Sequence, residues 1–170
     1  MKLFPNLCLA MILSTTGFSA FAESQDSGFY LEGGISSLNI EYSSYSYNLG
    51  TTAVLYGGYN FNKNIAIEVM GATASSSNAS TNLTFAGAFI KPKIELGDSI
   101  ELFARAGVNN LTFSSTYATS SSKTYGAYGA GLTLFFSGEK KQYLSLDYMR
   151  WASENGTTLG GTGLTYGYRF

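Results

Sequence analysis

Eight charged residues fall where the two-residue period of a β-strand puts them on a common face: Glu32, Glu68, Lys91, Lys93, Glu101, Arg105, Asp147 and Arg169. Four are acids and four are bases. Such a set can build a buried ion-pair network, provided every charge finds a partner, because losing one partner of a buried pair costs about 3–5 kcal/mol. It can also line a narrow ion path if the partners exchange. Covalent and metal chemistry are poorly supplied. The chain has no histidine, so no imidazole can activate a serine or ligate a metal in the usual way. No glycine-rich phosphate cradle appears between the apolar runs. We expect no enzyme, no cofactor and no metal site.

The amino terminus carries a secretory pattern. Lys2 supplies a positive charge, Leu7 to Leu13 an apolar core, and Ala20-Phe21-Ala22 a small-residue cleavage site before Glu23. Residues 1–22 are expected to be a cleaved signal peptide, with 23–170 forming one domain. The only cysteine, Cys8, lies in the leader, which leaves the mature chain without thiol or disulfide. No later stretch is long and apolar enough for a membrane helix. The whole chain has net charge −1, and losing Lys2 makes it −2. No basic stripe exists, so nucleic acid is not an expected partner. Tyrosine, phenylalanine, glycine, serine and threonine are abundant and proline is scarce, a mixture that suits strands and turns.

Alternating runs place strands at Gly28–Ile35, Thr51–Phe61, Ile65–Thr73, Leu83–Ile94, Ile100–Val108, Thr124–Phe136, Gln142–Trp151 and Leu159–Phe170. In the last, Leu164, Tyr166, Tyr168 and Phe170 alternate with Thr165, Gly167 and Arg169. Nearly every strand charge falls on the polar face; Arg150, at a strand end, is the exception. Between the strands, long polar stretches (36–50, 74–82, 109–123, 152–158) alternate with short turns (62–64, 95–99, 137–141). A soluble β-sandwich has no reason to collect its long loops at one end. A transmembrane barrel does, with an apolar face toward lipid and a polar face toward the lumen. The expected fold is all-β: an eight-stranded antiparallel up-and-down transmembrane β-barrel. Tyr59, Phe61 and Phe136 lie near the short turns and Trp151 near a long loop, as two aromatic girdles would require.

The segments G-G-Y-N-F-N-K-N-I-A-I-E-V (Gly57 to Val69) and G-L-T-Y-G-Y-R-F (Gly163 to Phe170) resemble the small eight-stranded outer-membrane barrel family that includes the OmpA transmembrane domain, OmpX and the opacity-type proteins. That resemblance implies an outer-membrane location in a Gram-negative cell. It also implies that Tyr166, Tyr168 and Phe170 form an assembly signal read by the barrel-assembly machinery. Outer-membrane lipid and lipopolysaccharide would be the surroundings. Some small barrels are enzymes that use a serine–histidine pair, which this chain lacks; an acid-pair protease would need clustered carboxylates at the outer rim, where only Glu41 and Glu154 stand.

The function expected first is structural: envelope integrity and presentation of surface loops, without catalysis. The alternative is a surface adhesin that binds host or matrix components through loops 36–50 and 109–123, where Tyr42, Tyr45, Tyr47, Leu111, Phe113 and Tyr117 accompany serine and asparagine. Tyrosine and serine make adaptable contacts at low entropic cost. A narrow gated ion pore is the third.

Overall fold

A computed structural model describes residues 27–43, 45–76, 81–115, 118–136 and 139–170; the expected signal peptide lies outside them. The chain forms eight strands: β1 (Gly28–Tyr42), β2 (Tyr45–Asn62), β3 (Ile65–Ser76), β4 (Thr81–Leu96), β5 (Ile100–Ser115), β6 (Ala118–Phe135), β7 (Gln142–Glu154) and β8 (Thr157–Arg169). Each pairs antiparallel with the next, and β8 pairs with β1, so the sheet closes on itself. The seam is fastened where the Phe170 amide donates to the Phe29 carbonyl at 3.0 Å.

Which face points inward decides between a barrel and a sandwich, and the side chains are unambiguous. Val69 is 64% exposed and Ile94 63%, both on the outside, whereas Glu32 and Arg105 are 0% and 1% exposed within. Bulky apolar groups cover the exterior and charges fill the interior, the inverse of a soluble core. Every expected strand parity is met in the structure, including the one that directs Lys91 and Lys93 inward.

The interior is layered. Nearest the short turns lie Lys93, Glu101 and Arg169; above them lie Glu32, Glu68, Lys91, Arg105 and Asp147. Toward the opposite end a packed apolar cluster that includes Leu38, Met70, Phe85, Met149, Trp151 and Leu159 fills the space.

Two expectations are corrected. Trp151 does not belong to an outer girdle: it is 1% exposed inside the barrel, its ring 5.9 Å from that of Phe85. The inward parity of Asp147 and Met149 carries on to Trp151, and a register shift between Arg150 and Ala152 then buries Ala152 as well. Tyr125 likewise shares its face with inward Ala127 and is half-buried against the cluster. Tyr59, Phe61 and Phe136 do stand outside near the short turns, and Phe29–Tyr59 and Tyr59–Phe61 make edge-on ring pairs at 4.9 and 5.4 Å. The second correction concerns the long loops. Much of 36–50 and 109–123 is strand: β1 runs to Tyr42, β2 starts at Tyr45, β5 runs to Ser115 and β6 starts at Ala118. Serine, threonine and tyrosine keep the ladder going after the outward apolar row has ended, and from Tyr45 to Thr51 both faces are exposed.

Candidate functional site

Arg105 on β5 organises the larger of two interior networks. Its Nη2 donates to Glu32 Oε2 at 2.9 Å and its Nε to Glu68 Oε2 at 2.5 Å, while Nη1 donates to Asp147 Oδ2. Lys91 Nζ donates to Glu32 Oε1 at 2.8 Å and to Glu68 Oε1 at 2.9 Å. The remaining carboxylate capacity is taken by hydroxyls. Tyr30 donates to Glu68 at 2.8 Å, and Tyr143 and Thr165 donate to Glu32 at 3.1 and 3.2 Å. The guanidinium of Arg105 lies 4.1 Å from the Tyr56 ring centre, a cation–π contact in a dry setting.

Glycine sets the position of both tyrosines. Gly58 and Gly167 lie directly beneath the rings of Tyr30 and Tyr143, and a Cβ at either would run into the ring. The rings therefore lie flat against the neighbouring strand, with their hydroxyls turned to the acids.

The second network sits nearer the short turns. Arg169 Nη2 donates to both carboxylate oxygens of Glu101, at 3.1 and 2.9 Å; Lys93 Nζ lies 3.4 Å from Glu101 and donates to Asn60 Oδ1 at 2.7 Å. The larger network holds three acids and two bases, the smaller one acid and two bases, so their formal charges of −1 and +1 cancel between adjoining layers. Tyr143 touches both: its hydroxyl reaches Glu32 and its ring lies 5.5 Å from the Arg169 guanidinium. Composition and period bring all eight predicted charges to the interior. They left out Tyr30, Tyr143, Thr165 and Asn60, although the same alternation turns each of these inward.

The wet end has its own geometry. The β2–β3 ladder begins at Ala53–Thr73, so among the described residues β2 from Tyr45 to Thr52 pairs only with β1. The β6–β7 ladder begins at Tyr128–Arg150, so β6 from Ala118 to Ala127 pairs only with β5. Beyond those points the described residues form two four-stranded panels, β7-β8-β1-β2 and β3-β4-β5-β6. One cleft, between β6 and β7, is crossed by an ion pair from Lys123 to Glu154 and a hydrogen bond from Tyr125 to Glu154 at 3.2 Å. At the other cleft, Tyr45 and Tyr47 of β2 are 68% and 65% exposed.

The sequence profile described as Outer membrane protein beta-barrel domain matches residues 7–170. Comparison with curated proteins gives no match. Among solved structures, the chain is similar to Ail, the attachment invasion locus protein of Yersinia pestis, at 20% identity and TM-score 0.62, covering 85% of this chain and 99% of that one. It is similar to Neisserial surface protein A at 17% identity and TM-score 0.63, covering 87% and 100%. It is also similar to the N-terminal β-barrel domain of Pseudomonas aeruginosa OprF at 13% identity and TM-score 0.58, covering 84% and 99%.

Proposed function

Because the chain belongs to the outer membrane protein beta-barrel domain family, we propose that it is a closed membrane scaffold whose work is done by the sheet it raises above the bilayer, as a surface-attachment protein for a protein ligand. The observation that carries this reading is the unpaired edge of β2. Among the described residues, the eight from Tyr45 to Thr52 have no ladder partner on the β3 side. An exposed edge with free N–H and C=O groups is a template for an added strand, and alternate side chains beside it supply specificity. The tyrosines there offer broad, half-rigid contact area.

The charge balance favours a protein ligand over a polyanionic glycan. The wet end offers Lys123 and Arg150 against Glu41 and Glu154, and Lys123 is already paired. That leaves little positive field to gather a sulfated chain. Envelope support, the role expected first from the sequence, is compatible with the same scaffold. The tightly knit interior networks are what favour it as a second reading. A gated pore is disfavoured by the apolar cluster lying across the interior beyond the ion pairs.

The test compares cells displaying the wild type, Ser46→Pro and a Ser36–Gly50 deletion for attachment to host cells and to immobilised matrix proteins. Heat-modifiable gel mobility checks that each barrel is folded. We expect attachment to fall in both variants, since proline removes an edge N–H and stiffens the strand. Equal attachment by all three folded proteins would remove the β2 edge from consideration.

A further inference from the structure

A groove of about 440 Å³ opens on the outer face where β8, β1 and β2 meet. Leu31, Leu55, Tyr166, Tyr168 and Phe170 wall it, and Gly33 forms its floor. Gly33 pairs with Leu55 on one side and Tyr166 on the other, both large. The fold does not require this glycine. A Cβ at Gly33 would meet Leu55 Cδ1 at an ordinary 3.6 Å and nothing closer, unlike one at Gly58 or Gly167. Its φ is not left-handed either. Glycine inside a strand sacrifices backbone entropy and packing, and it often marks a place where a ligand approaches closely. What Gly33 supplies is open space.

The groove has the depth of one leaflet. Gly33 faces Tyr166, four residues before Phe170. At about 3.3 Å per residue this is about 13 Å of strand. With a strand tilt of about 35–45°, the floor stands about 10 Å from the short-turn end of an apolar band about 25 Å tall. The walls stand on β8 and β2, two strand spacings or about 10 Å apart between backbones, and their side chains narrow the gap below the width of an α-helix about 10 Å across. That gap suits a hydrocarbon chain. The groove is continuous with the lipid-facing wall, and Phe170 borders it at the short-turn end. At that level stand Lys63, in the β2–β3 turn, and Lys141, whose carbonyl accepts from the Arg169 amide at 2.8 Å and whose Nζ lies 3.1 Å from Glu139.

We propose that this groove holds one acyl chain of a phospholipid from the periplasmic leaflet as a resident lipid. No water is expelled when lipid moves from bilayer to groove, so the preference comes from contact on several sides at once rather than from the hydrophobic effect.

Native mass spectrometry of barrels released from palmitoyl-oleoyl phosphatidylethanolamine nanodiscs tests this. The wild type should retain a single phospholipid. Gly33→Leu fills the floor and should lower the lipid-bound fraction about tenfold, or about 1.4 kcal/mol. Gly33→Val, a better strand former, should act in the same direction should the leucine variant fold poorly. Gly126→Leu is the control: Gly126 is an exposed glycine on β6 with nothing within 4 Å of a Cβ, and it lies away from the groove. It should leave retention unchanged. Absence of retained lipid on the wild type, or equal loss in Gly126→Leu and the Gly33 variants, overturns the proposal.

Discussion

Arg105 makes four hydrogen bonds to three different carboxylates, on β1, β3 and β7. Arg105→Met leaves Glu32, Glu68 and Asp147 with Lys91 as the remaining cation of that network. Stability should drop by about 3–5 kcal/mol, read as a lower urea midpoint for the folded protein in detergent micelles. Arg105→Lys should also lower it, since three donors on a flexible stem cannot reproduce a planar five-donor fork. An unchanged midpoint in both would mean that the network contributes little. The membership of this network was open to the sequence because charge and parity coincide at Glu32, Glu68 and Arg105. Its tyrosines were less open, because an aromatic residue in a membrane barrel has a second good location at the headgroup level. Trp151 shows the cost of that ambiguity: nearness to the rim suggested a girdle, while the period running through Asp147 and Met149 pointed inward.

At the level of the element, strand existence and direction were legible, and strand ends were not. Apolar alternation stops where lipid stops, yet the ladder between Ser36–Tyr42 and Tyr45–Thr52 continues. Neither tyrosine-serine runs nor glycine signals distinguish a protruding hairpin from a loop. The two panels above the membrane also differ in how they are held. The β6–β7 cleft relies on Glu154, whose carboxyl is held below its ordinary range by the hydrogen bond from Lys123, with charge attraction from the same lysine and a hydrogen bond from Tyr125 assisting. A depressed carboxyl contributes above its unfolded value and loses that contribution as pH falls through the folded one. Lys123 is shifted upward by the same contact, so alkali breaks the pair only beyond the ordinary lysine range. We expect a carbon-detected NMR titration to find the Glu154 midpoint on the acid side of the ordinary glutamate range. Amide exchange at Thr124 and Tyr125, corrected for its intrinsic pH dependence, should rise as Glu154 protonates. A Glu154 midpoint that Lys123→Ala leaves unchanged would show that the cleft is not bridged in solution. Both groups are exposed, so added salt should weaken the effect.

For the molecule as a whole, the inversion of apolar and polar faces was the most legible property. It needs only a two-residue period and a count of connections. The division of the interior into a charged half and a greasy half was not, because it depends on which positions share a level around the barrel, and register fixes that. It bears directly on transport. Purified protein in planar bilayers should show no discrete openings, since an ion leaving the carboxylates would have to cross the packing around Phe85, Met149 and Trp151; regular unitary steps, altered in Arg105→Ala, would reverse this view. The seam between β1 and β8 has a further consequence. Tyr30 pairs with Arg169, 139 positions later (169 − 30). Contacts of such sequence separation form late, because a large loop-closure entropy precedes them. A nascent polypeptide stalled before Thr157 would carry raw, adhesive borders at both β1 and β7, so the cylinder can complete itself only after the last segment has been delivered.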